Sequence, residues 1–236
     1  KMSPRSESWV MGNDNTSVTL SLFLYFLFKD FILASPTKLI LTPVPEDYET
    51  IIKPYLKMVK QLCEGDDTNF NYYVNFLANV IQNPNEKCGV SVFFRGEEGV
   101  GKNLHLEAIA NIIDKNHYIS TNKADDLFGK FACSVTNKLL VNWNEADKIG
   151  ELVEDLKVFV TEEIKVSEQK GKNKIETRNI STLIGTTNRL CPFPCHNKAR
   201  RFEVFQCTEK YLKQKYKDNK FFKNMADLIK TPIFIA

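Results

Sequence analysis

The sequence predicts an α/β protein with a mostly parallel sheet that is flanked by helices. Short apolar runs of strand length alternate with amphipathic helical stretches from residue 90 onward, and a glycine-rich loop separates the first such strand from the next helix. Strands that alternate with helices are typical of a parallel sheet covered on both faces. Ligands of such sheets bind beyond the carboxyl ends of the strands.

Periodicity and turn residues predict the elements in order. Apolar residues at helical spacing indicate two helices before residue 83, where Asn83-Pro84-Asn85 ends the second. Later runs of three to seven residues have the length of short strands. The predicted helices are 46–63, 68–82, the stretch after Lys102 and 146–162, and the predicted strands are 90–94, 139–141, 180–186 and 202–205.

Composition is that of an ordinary globular protein. The 236 residues include 43% hydrophobic and 26% charged residues, with a net charge of +3. So small a net charge does not by itself indicate a nucleic-acid partner. Six cysteines are too few for a disulfide scaffold and no signal peptide is recognisable, so we expect reduced thiols in an intracellular protein.

The N-terminal segment carries one apolar stretch, at 18–34, within a region expected to be partly disordered. Lys29 and Asp30 interrupt it before it reaches the roughly 20 residues that a spanning helix needs. A buried helix or an interface is therefore predicted, with membrane association as the alternative. Four regions follow: an N-terminal segment 1–45, a helical region 46–85, a P-loop core 86–210 and a helical tail 211–236, which is short enough to be truncated.

The glycine-rich loop fits the phosphate-binding pattern G-x-x-x-x-G-K. It reads Gly96-Glu97-Glu98-Gly99-Val100-Gly101-Lys102-Asn103. Glycines let backbone N–H groups turn towards phosphates, and the helix that follows adds its positive end. Lys102 is then expected to bind the outer phosphates. Asn103 stands where a Ser or Thr hydroxyl would bind Mg²⁺, so a contact to the metal through its amide is expected.

An acidic residue ends the next strand. Glu145 follows the apolar run 139–141 and is predicted to face the γ-phosphate and to polarise the attacking water. In ATP-hydrolysing motors with this loop, an Asp usually stands one residue earlier. This chain has Asn144 there, and an amide supplies no negative charge to a metal. We therefore assign the Mg²⁺ shell to Asn103, Asn144 and Glu145, in part through water, with a contribution from Asp147 as the alternative. The alternative for Glu145 is a solvated acid at a helix start.

Three further polar groups extend the predicted site. Asn188 ends the third strand, where its amide is placed to contact the γ-phosphate or the lytic water. Arg200 and Arg201 precede the fourth strand, and one of them is predicted to be an arginine finger, acting within the chain or on a neighbouring subunit. The alternative for this pair is a basic strand edge that discourages aggregation.

A lysine-rich turn separates two alternating stretches, which predicts a β-hairpin. Its tip carries Lys170, Lys172 and Lys174. Such a tip suits a phosphate backbone, although charged turns are more often merely solvated.

Together these residues resemble the superfamily 3 helicases of DNA viruses and plasmids, most closely their primase–helicase branch. The resemblance covers about 68 to 206 and rests on several stretches besides the P-loop. These are Leu77-Ala78-Asn79-Val80-Ile81-Gln82-Asn83-Pro84, Phe94-Arg95, Asp126-Leu127-Phe128-Gly129-Lys130-Phe131, Thr187-Asn188 and Arg200-Arg201-Phe202.

This resemblance implies an AAA+-type core that forms a hexameric ring around single-stranded DNA. Lys102 would bind phosphates, Glu145 would be the Walker B acid, Asn188 sensor 1, and Arg200 or Arg201 a finger acting in trans. The hairpin would carry the DNA-contacting lysines. A primase or polymerase module, usual in that branch, is not visible and is expected on a further part of the chain. If the chain is viral, we expect it in the host cytoplasm or nucleus.

The predicted function is an ATP- and Mg²⁺-dependent DNA helicase motor that replicates a virus or mobile element. Three alternatives stay open. An RNA-virus motor of the same superfamily would explain the stretch 18–34 as a membrane-associated segment. A nucleotide kinase would need an arginine-bearing lid, which is not found in the sequence. A non-catalytic nucleotide-binding remnant would explain Asn103 and Asn144.

Overall fold

The computed structural model describes residues 48–113, 115–129, 132–147, 149–167, 175–189, 200–212 and 220–231, together with Phe193 and Phe234. The predictions for segment 1–45, with its apolar stretch 18–34, lie outside these residues. Within the described ranges, no helix is both long enough and apolar enough to cross a bilayer.

Two helices precede the sheet, as predicted. Helix α1 spans Tyr48–Leu62 and helix α2 spans Asp67–Gln82. The side chain of Asp66 caps α2 by accepting a hydrogen bond from the N–H of Asn69 at 3.0 Å, because the first N–H groups of a helix have no partner within it. Helix α2 ends one residue before Asn83, as the Asn-Pro turn predicts.

Five parallel strands form the sheet. The seven strands of the described chain are β1 (Ser91–Arg95), β2 (Tyr118–Thr121), β3 (Leu140–Trp143), β4 (Ile164–Ser167), β5 (Ile175–Arg178), β6 (Thr182–Thr187) and β7 (Phe202–Gln206). The sheet order is β2-β3-β6-β1-β7, and every pair in it is parallel. Strands β4 and β5 form the predicted antiparallel hairpin. Strand β2 was not predicted, because an edge strand with mostly half-exposed residues lacks an apolar run.

Four more helices complete the described fold: α3 (Lys102–Ile112), α4 (Ala124–Phe128), α5 (Val153–Thr161) and α6 (Lys220–Leu228). The helix predicted over 146–162 was wrong at its start, since α5 begins only at Val153. Gly150 lies in the preceding turn, and glycine in a helix costs about 1 kcal/mol relative to alanine. Ile149 is buried nevertheless, at 2% exposure. The apolar character of this position therefore indicates that the residue is buried, and not that it lies in a helix.

The sheet is covered on both faces, as predicted. In β1, Val92 and Phe94 belong to a hydrophobic cluster with α1, α2, α3 and α6, whereas Phe93 points into a second cluster with α5. Gly185 in β6 leaves room for Phe93, because a Cβ added there would lie 2.3 Å from the Phe93 ring. Helix α3, which follows the glycine-rich loop, therefore shares one core with the two N-terminal helices.

A buried polar triad lies inside that shared core. The hydroxyl of Tyr55 lies 2.7 Å from Nδ1 of His105, and the hydroxyl of Tyr73 lies 2.7 Å from Nε2. Burial lowers the pKa of His105 to about 3, so the ring is neutral and one tyrosine donates while the other accepts. The triad joins α1 and α2 to the first turns of α3.

Candidate functional site

The carboxyl ends of the parallel strands meet at one edge of the sheet, and the glycine-rich loop lies there. It follows β1, and the N–H of Gly96 donates to the carbonyl of Thr187 at 3.1 Å. Gly96 has no room for a side chain, because an added Cβ would lie 2.8 Å from Cβ of Cys207. Gly101 has φ of +106°, a left-handed conformation that glycine adopts without strain. Close packing thus requires glycine at position 96, and the backbone conformation favours it at position 101.

Helix α3 begins at Lys102 with no side-chain cap. Its first N–H groups have no intrahelical acceptor, which makes this helix start a suitable place for an anion. The Glu97, Glu98 and Asn103 side chains are exposed, whereas Val100 is buried and anchors the loop.

Lys102 is 8% exposed, and its ammonium group is held at the carboxyl edge by three acceptors. Nζ donates to the carbonyl of Gly96 at 2.5 Å, to the carbonyl of Glu97 at 2.9 Å and to Oδ1 of Asn188 at 2.9 Å. Burial lowers the pKa of Lys102 below its usual value, and neighbouring carboxylates, including Glu145, oppose this shift. An incoming anion would have to exchange with these acceptors, since an ammonium has only three protons.

The turn after β3 presents Glu145. Its backbone φ is +53°, a conformation that is uncommon outside glycine and costs energy unless the surroundings enforce it. Thr186 enforces it here: its hydroxyl accepts a hydrogen bond from the N–H of Glu145 at 3.0 Å and donates to Oδ1 of Asn144 at 3.0 Å. The carbonyl of Thr186 also accepts from the N–H of Ala146 at 2.8 Å.

A cavity of about 410 Å³ lies between the glycine-rich loop and the ends of β3 and β6. It brings together Asn144 and Glu145 from the end of β3, Asn188 from the end of β6, and Lys102 and Asn103 from the start of α3. Glu98, Gly99 and Gly101 also line it, so the glycine-rich loop forms one wall. The residues lining the cavity thus include a lysine, two glutamates and three asparagines, an arrangement suited to binding an anion and activating a water beside it.

The residues assigned to Mg²⁺ share this cavity. Magnesium prefers oxygen ligands and commonly uses one or two carboxylates together with waters and substrate phosphates. Glu145 offers one exposed carboxylate, and Asn103 offers an amide oxygen. The oxygen of Asn144 already accepts a hydrogen bond from Thr186. The donor set therefore fits a magnesium ion that keeps much of its water. No set of three His, Cys, Asp or Glu converges on a metal position within the described ranges.

Arg200 and Arg201 lie at the opposite edge of the sheet. They precede β7, and the carbonyl of Arg201 accepts from the N–H of Ser91 at 2.8 Å, at the amino end of β1. The five residues of β1 separate this point from Gly96, which is roughly 16 Å along a strand. Both side chains are exposed. The structure thus keeps the arginine pair out of the cavity of its own chain.

The hairpin stands beside α4 and α5. The ammonium of Lys165 in β4 donates to the carbonyl of Leu127 at 3.0 Å and lies over the ring of Phe159. On the other face of β4, Ile164 and Val166 are 60% and 53% exposed. The predicted contact residues Lys170, Lys172 and Lys174 lie outside the described residues.

Four residues that line the cavity were not assigned to the site from the sequence. Thr186 was visible only as part of a polar strand tip, and Leu104 only as an apolar position of the helix after Lys102. Phe222 and Ala226 of α6 also line the cavity, and no local pattern indicates this because they lie far along the chain from the glycine-rich loop.

Comparison with known proteins shows sequence similarity to a phage DNA primase-polymerase. Residues 94–201 match the model of DUF5906, a family of unknown function. The chain is 27% identical over 190 residues to the DNA primase-polymerase of Nitratiruptor phage NrS-1, which covers 78% of this chain and 26% of that protein. The chain thus spans about a quarter of the length of this relative.

Solved structures agree with the parallel fold. An apo structure of the NrS-1 C-terminal region, in its A form, superposes with a TM-score of 0.67 at 25% identity, covering 86% of this chain and 48% of that one. Another apo structure of that region gives a TM-score of 0.65 at 22% identity, with 86% and 51% covered.

Proposed function

We propose that this chain is the ATP-hydrolysing motor of a DNA-replication protein, which uses Mg²⁺ and translocates on single-stranded DNA as a helicase. One observation carries the proposal: Lys102 and Asn188 are hydrogen-bonded in the cavity that Glu145 also lines. The cation proposed to bind phosphate, the acid proposed to activate water and the amide proposed to contact the γ-phosphate therefore line the same cavity. The similarity to a phage DNA primase-polymerase supports the replication context.

In the proposed reaction, water attacks the γ-phosphorus and the bond to the bridging oxygen breaks, which gives ADP and phosphate. Lys102 and the N–H groups at the start of α3 hold the phosphates. Glu145 orients the water and accepts its proton. Asn188 contacts the γ-phosphate, so its hydrogen bond to Lys102 changes between nucleotide states. Asn103, Asn144 and Glu145 would hold Mg²⁺, which supplies charge neutralisation at the phosphates.

The arginine pair is proposed to act on a neighbouring subunit. Its distance of roughly 16 Å along β1 from its own P-loop excludes a contact within the same cavity unless the sheet is rearranged. A ring in which the amino edge of one sheet faces the cavity of the next would place Arg200 or Arg201 at the γ-phosphate. We therefore propose a homo-oligomer, with six subunits by resemblance.

Single-stranded DNA is the proposed partner, and the β4–β5 hairpin is its proposed contact. Lys165 and Phe159 anchor the foot of the hairpin to the body of the domain, so a tip that binds DNA would be mechanically connected to the sheet. A primase or polymerase module on the rest of a longer protein completes the proposal, because the phage relative is a primase-polymerase about four times as long as the matched region.

A second candidate is a nucleotide-binding module without turnover. It is favoured by Asn144, whose side-chain oxygen is engaged by Thr186 and brings no charge to the metal position. An RNA-virus motor with a membrane-associated N-terminal segment is the third, and it depends on residues 18–34.

The deciding experiment is a steady-state ATPase assay with and without single-stranded DNA, and with single-stranded RNA in parallel. The motor hypothesis expects Mg²⁺-dependent turnover that DNA stimulates. Nucleotide binding without turnover would support the non-catalytic module, and stimulation by RNA alone would support the RNA-virus motor.

A further inference from the structure

Two chemically different groups of residues line the cavity. The polar group comes from the P-loop and the ends of β3 and β6. The apolar group comes from the first turn of α3 and from α6, and consists of Leu104, Phe222 and Ala226. A ligand that fills both parts must have an anionic portion and an apolar portion.

Phe222 is fixed close to the P-loop. A Cβ atom added at Gly101 would lie 3.1 Å from Cε1 of Phe222 and 3.2 Å from Sδ of Met58. Phe222 also contacts Phe221 edge to face, with ring centroids 5.3 Å apart at 82°. Phe221 in turn stacks on Tyr211, with centroids 4.4 Å apart at 4°. The ring of Phe222 is thus held beside the residue that precedes Lys102, and part of it faces the cavity.

We propose that Phe222, with Leu104 and Ala226, forms the nucleobase subsite of this cavity. The inference rests on the proposed function, because it takes the anionic portion of the ligand to be the phosphate chain at Lys102. A nucleoside triphosphate has the required two-part character: a charged chain and a flat, weakly polar base. The aromatic face of Phe222 offers the base a stacking surface.

Base stacking predicts a particular selectivity. Every base has a π-face, so a stacking contact tolerates all of them. The side chains of Leu104, Phe222 and Ala226 carry no hydrogen-bonding group, so they do not read the edge that distinguishes adenine from guanine. We expect ATP and GTP to bind within about threefold of each other, and purines to bind more tightly than pyrimidines because their rings are larger.

The test compares ligands with and without a base on the whole chain. Binding of ATP and of inorganic tripolyphosphate, each with Mg²⁺, is measured by calorimetry for the wild type, Phe222→Ala and Tyr72→Ala. Tyr72→Ala is the control, because Tyr72 is an aromatic residue of α2 that is 43% exposed and does not line the cavity. Loss of a stacking aromatic weakens binding by roughly tenfold or more, so Phe222→Ala should weaken ATP about tenfold and leave tripolyphosphate unchanged. Tyr72→Ala should change neither.

Other outcomes separate the subsite from the phosphate site. If the wild type binds ATP no more tightly than tripolyphosphate, the base subsite is wrong while the phosphate site stands. Binding of neither ligand would overturn both proposals. Phe222→Leu, which keeps an apolar side chain but lacks a π-face, and Phe222→Trp, which keeps one, provide the same comparison if Phe222→Ala does not fold. Equal ATP affinity in these two variants would overturn the stacking role.

Discussion

Oδ1 of Asn188 lies 2.9 Å from Nζ of Lys102, although the two residues are 86 positions apart in the chain. The contact joins the end of β6 to the start of α3, and it uses one of the three protons of the ammonium group. A phosphate that binds Lys102 competes with Asn188 for that proton. Oδ1 is then available to accept from a water beside the phosphate, while the Nδ2 group of the same amide can donate to a phosphate oxygen. Nucleotide binding and β6 are therefore coupled in the proposed mechanism.

Replacing Lys102 should impair nucleotide binding, whereas replacing Glu145 should impair turnover. Lys102→Ala removes the cation and is expected to abolish nucleotide binding. Glu145→Gln keeps the shape of the side chain but removes the proton acceptor, so binding should persist while turnover is lost. Nucleotide titration and steady-state ATPase rates measure the two effects. Glu86→Gln is the control, since Glu86 is exposed and does not line the cavity; equal loss of binding in both active-site variants would make Glu145 a structural residue.

Thr186 should act through Glu145. Thr186→Val keeps the volume of the side chain but removes the hydroxyl that holds the turn at Asn144 and Glu145. A displacement of about 1 Å at a reacting group can cost roughly 10²-fold in rate, so we expect a fall of that order in kcat with little change in nucleotide affinity. Thr187→Val is the matched control, because that hydroxyl accepts from the N–H of Arg189 and not from the turn. Unchanged kcat in Thr186→Val would show that the turn holds without it.

A subunit that lacks Arg200 and Arg201 should restore ATPase activity when it is mixed with a neighbouring subunit that retains them. Loss of an arginine finger costs roughly 10³–10⁵ in turnover in other P-loop enzymes, so Arg200→Ala/Arg201→Ala subunits should be inactive, as should Lys102→Ala subunits. Mixing the two would create some interfaces that join an intact P-loop to an intact finger, and ATPase activity should partly return. Absence of any recovery in particles shown to contain both variants would exclude a role in trans.

The hairpin lysines should contribute to DNA affinity without reading sequence. Replacing Lys170, Lys172 and Lys174 with alanine should flatten the log–log salt dependence of single-stranded DNA binding by about 0.7 per lost phosphate contact, similarly for all sequences. Basal ATPase should persist. A triple alanine variant of the exposed Lys53, Lys57 and Lys230 carries the same charge change elsewhere; an equal loss of slope in this control would assign the effect to net charge.

The sequence predicted the parts of this site that depend on local spacing. The pattern G-x-x-x-x-G-K predicts one strand, one loop and one helix within about twenty residues, and the structure has the strand before the loop and the helix after it. The direction of the chain also locates side chains: Glu145 and Asn188 follow parallel strands, whereas Arg201 precedes one, so they lie at opposite edges of the sheet. That separation was implicit in the sequence, although the prediction left a role within the chain open.

Other features depend on contacts that no local pattern encodes. Phe222 reaches the cavity because α6 packs against Met58 and Gly101, far away in the chain. The helix was predicted from residue 146 but begins at Val153. Ile149 is buried in the turn before it, and its spacing from the next apolar residues is the spacing that a helix would also show. The pairing of His105 with Tyr55 and Tyr73 requires three helices to meet, and each residue alone looks like an ordinary core position.

This triad should make the protein sensitive to acid. His105 has a pKa of about 3 in the folded chain, whereas an imidazole in an unfolded chain titrates near 6.5. Between these values the unfolded state binds more protons, so the stability contributed by the neutral ring is fully present above about pH 6.5 and is lost as the pH falls towards 3. The free energy of unfolding should therefore drop by about 2 kcal/mol between pH 7.5 and pH 5 from this residue alone.

Urea titrations at the two pH values measure the drop for the wild type, His105→Gln and His117→Gln. His105→Gln should be less stable at pH 7.5, because it loses buried hydrogen bonds, but its drop should be smaller by about that amount. His117→Gln, at a half-exposed position, should retain the drop of the wild type. If His105→Gln instead loses as much stability on acidification as the wild type does, the buried triad is not the origin of the acid sensitivity.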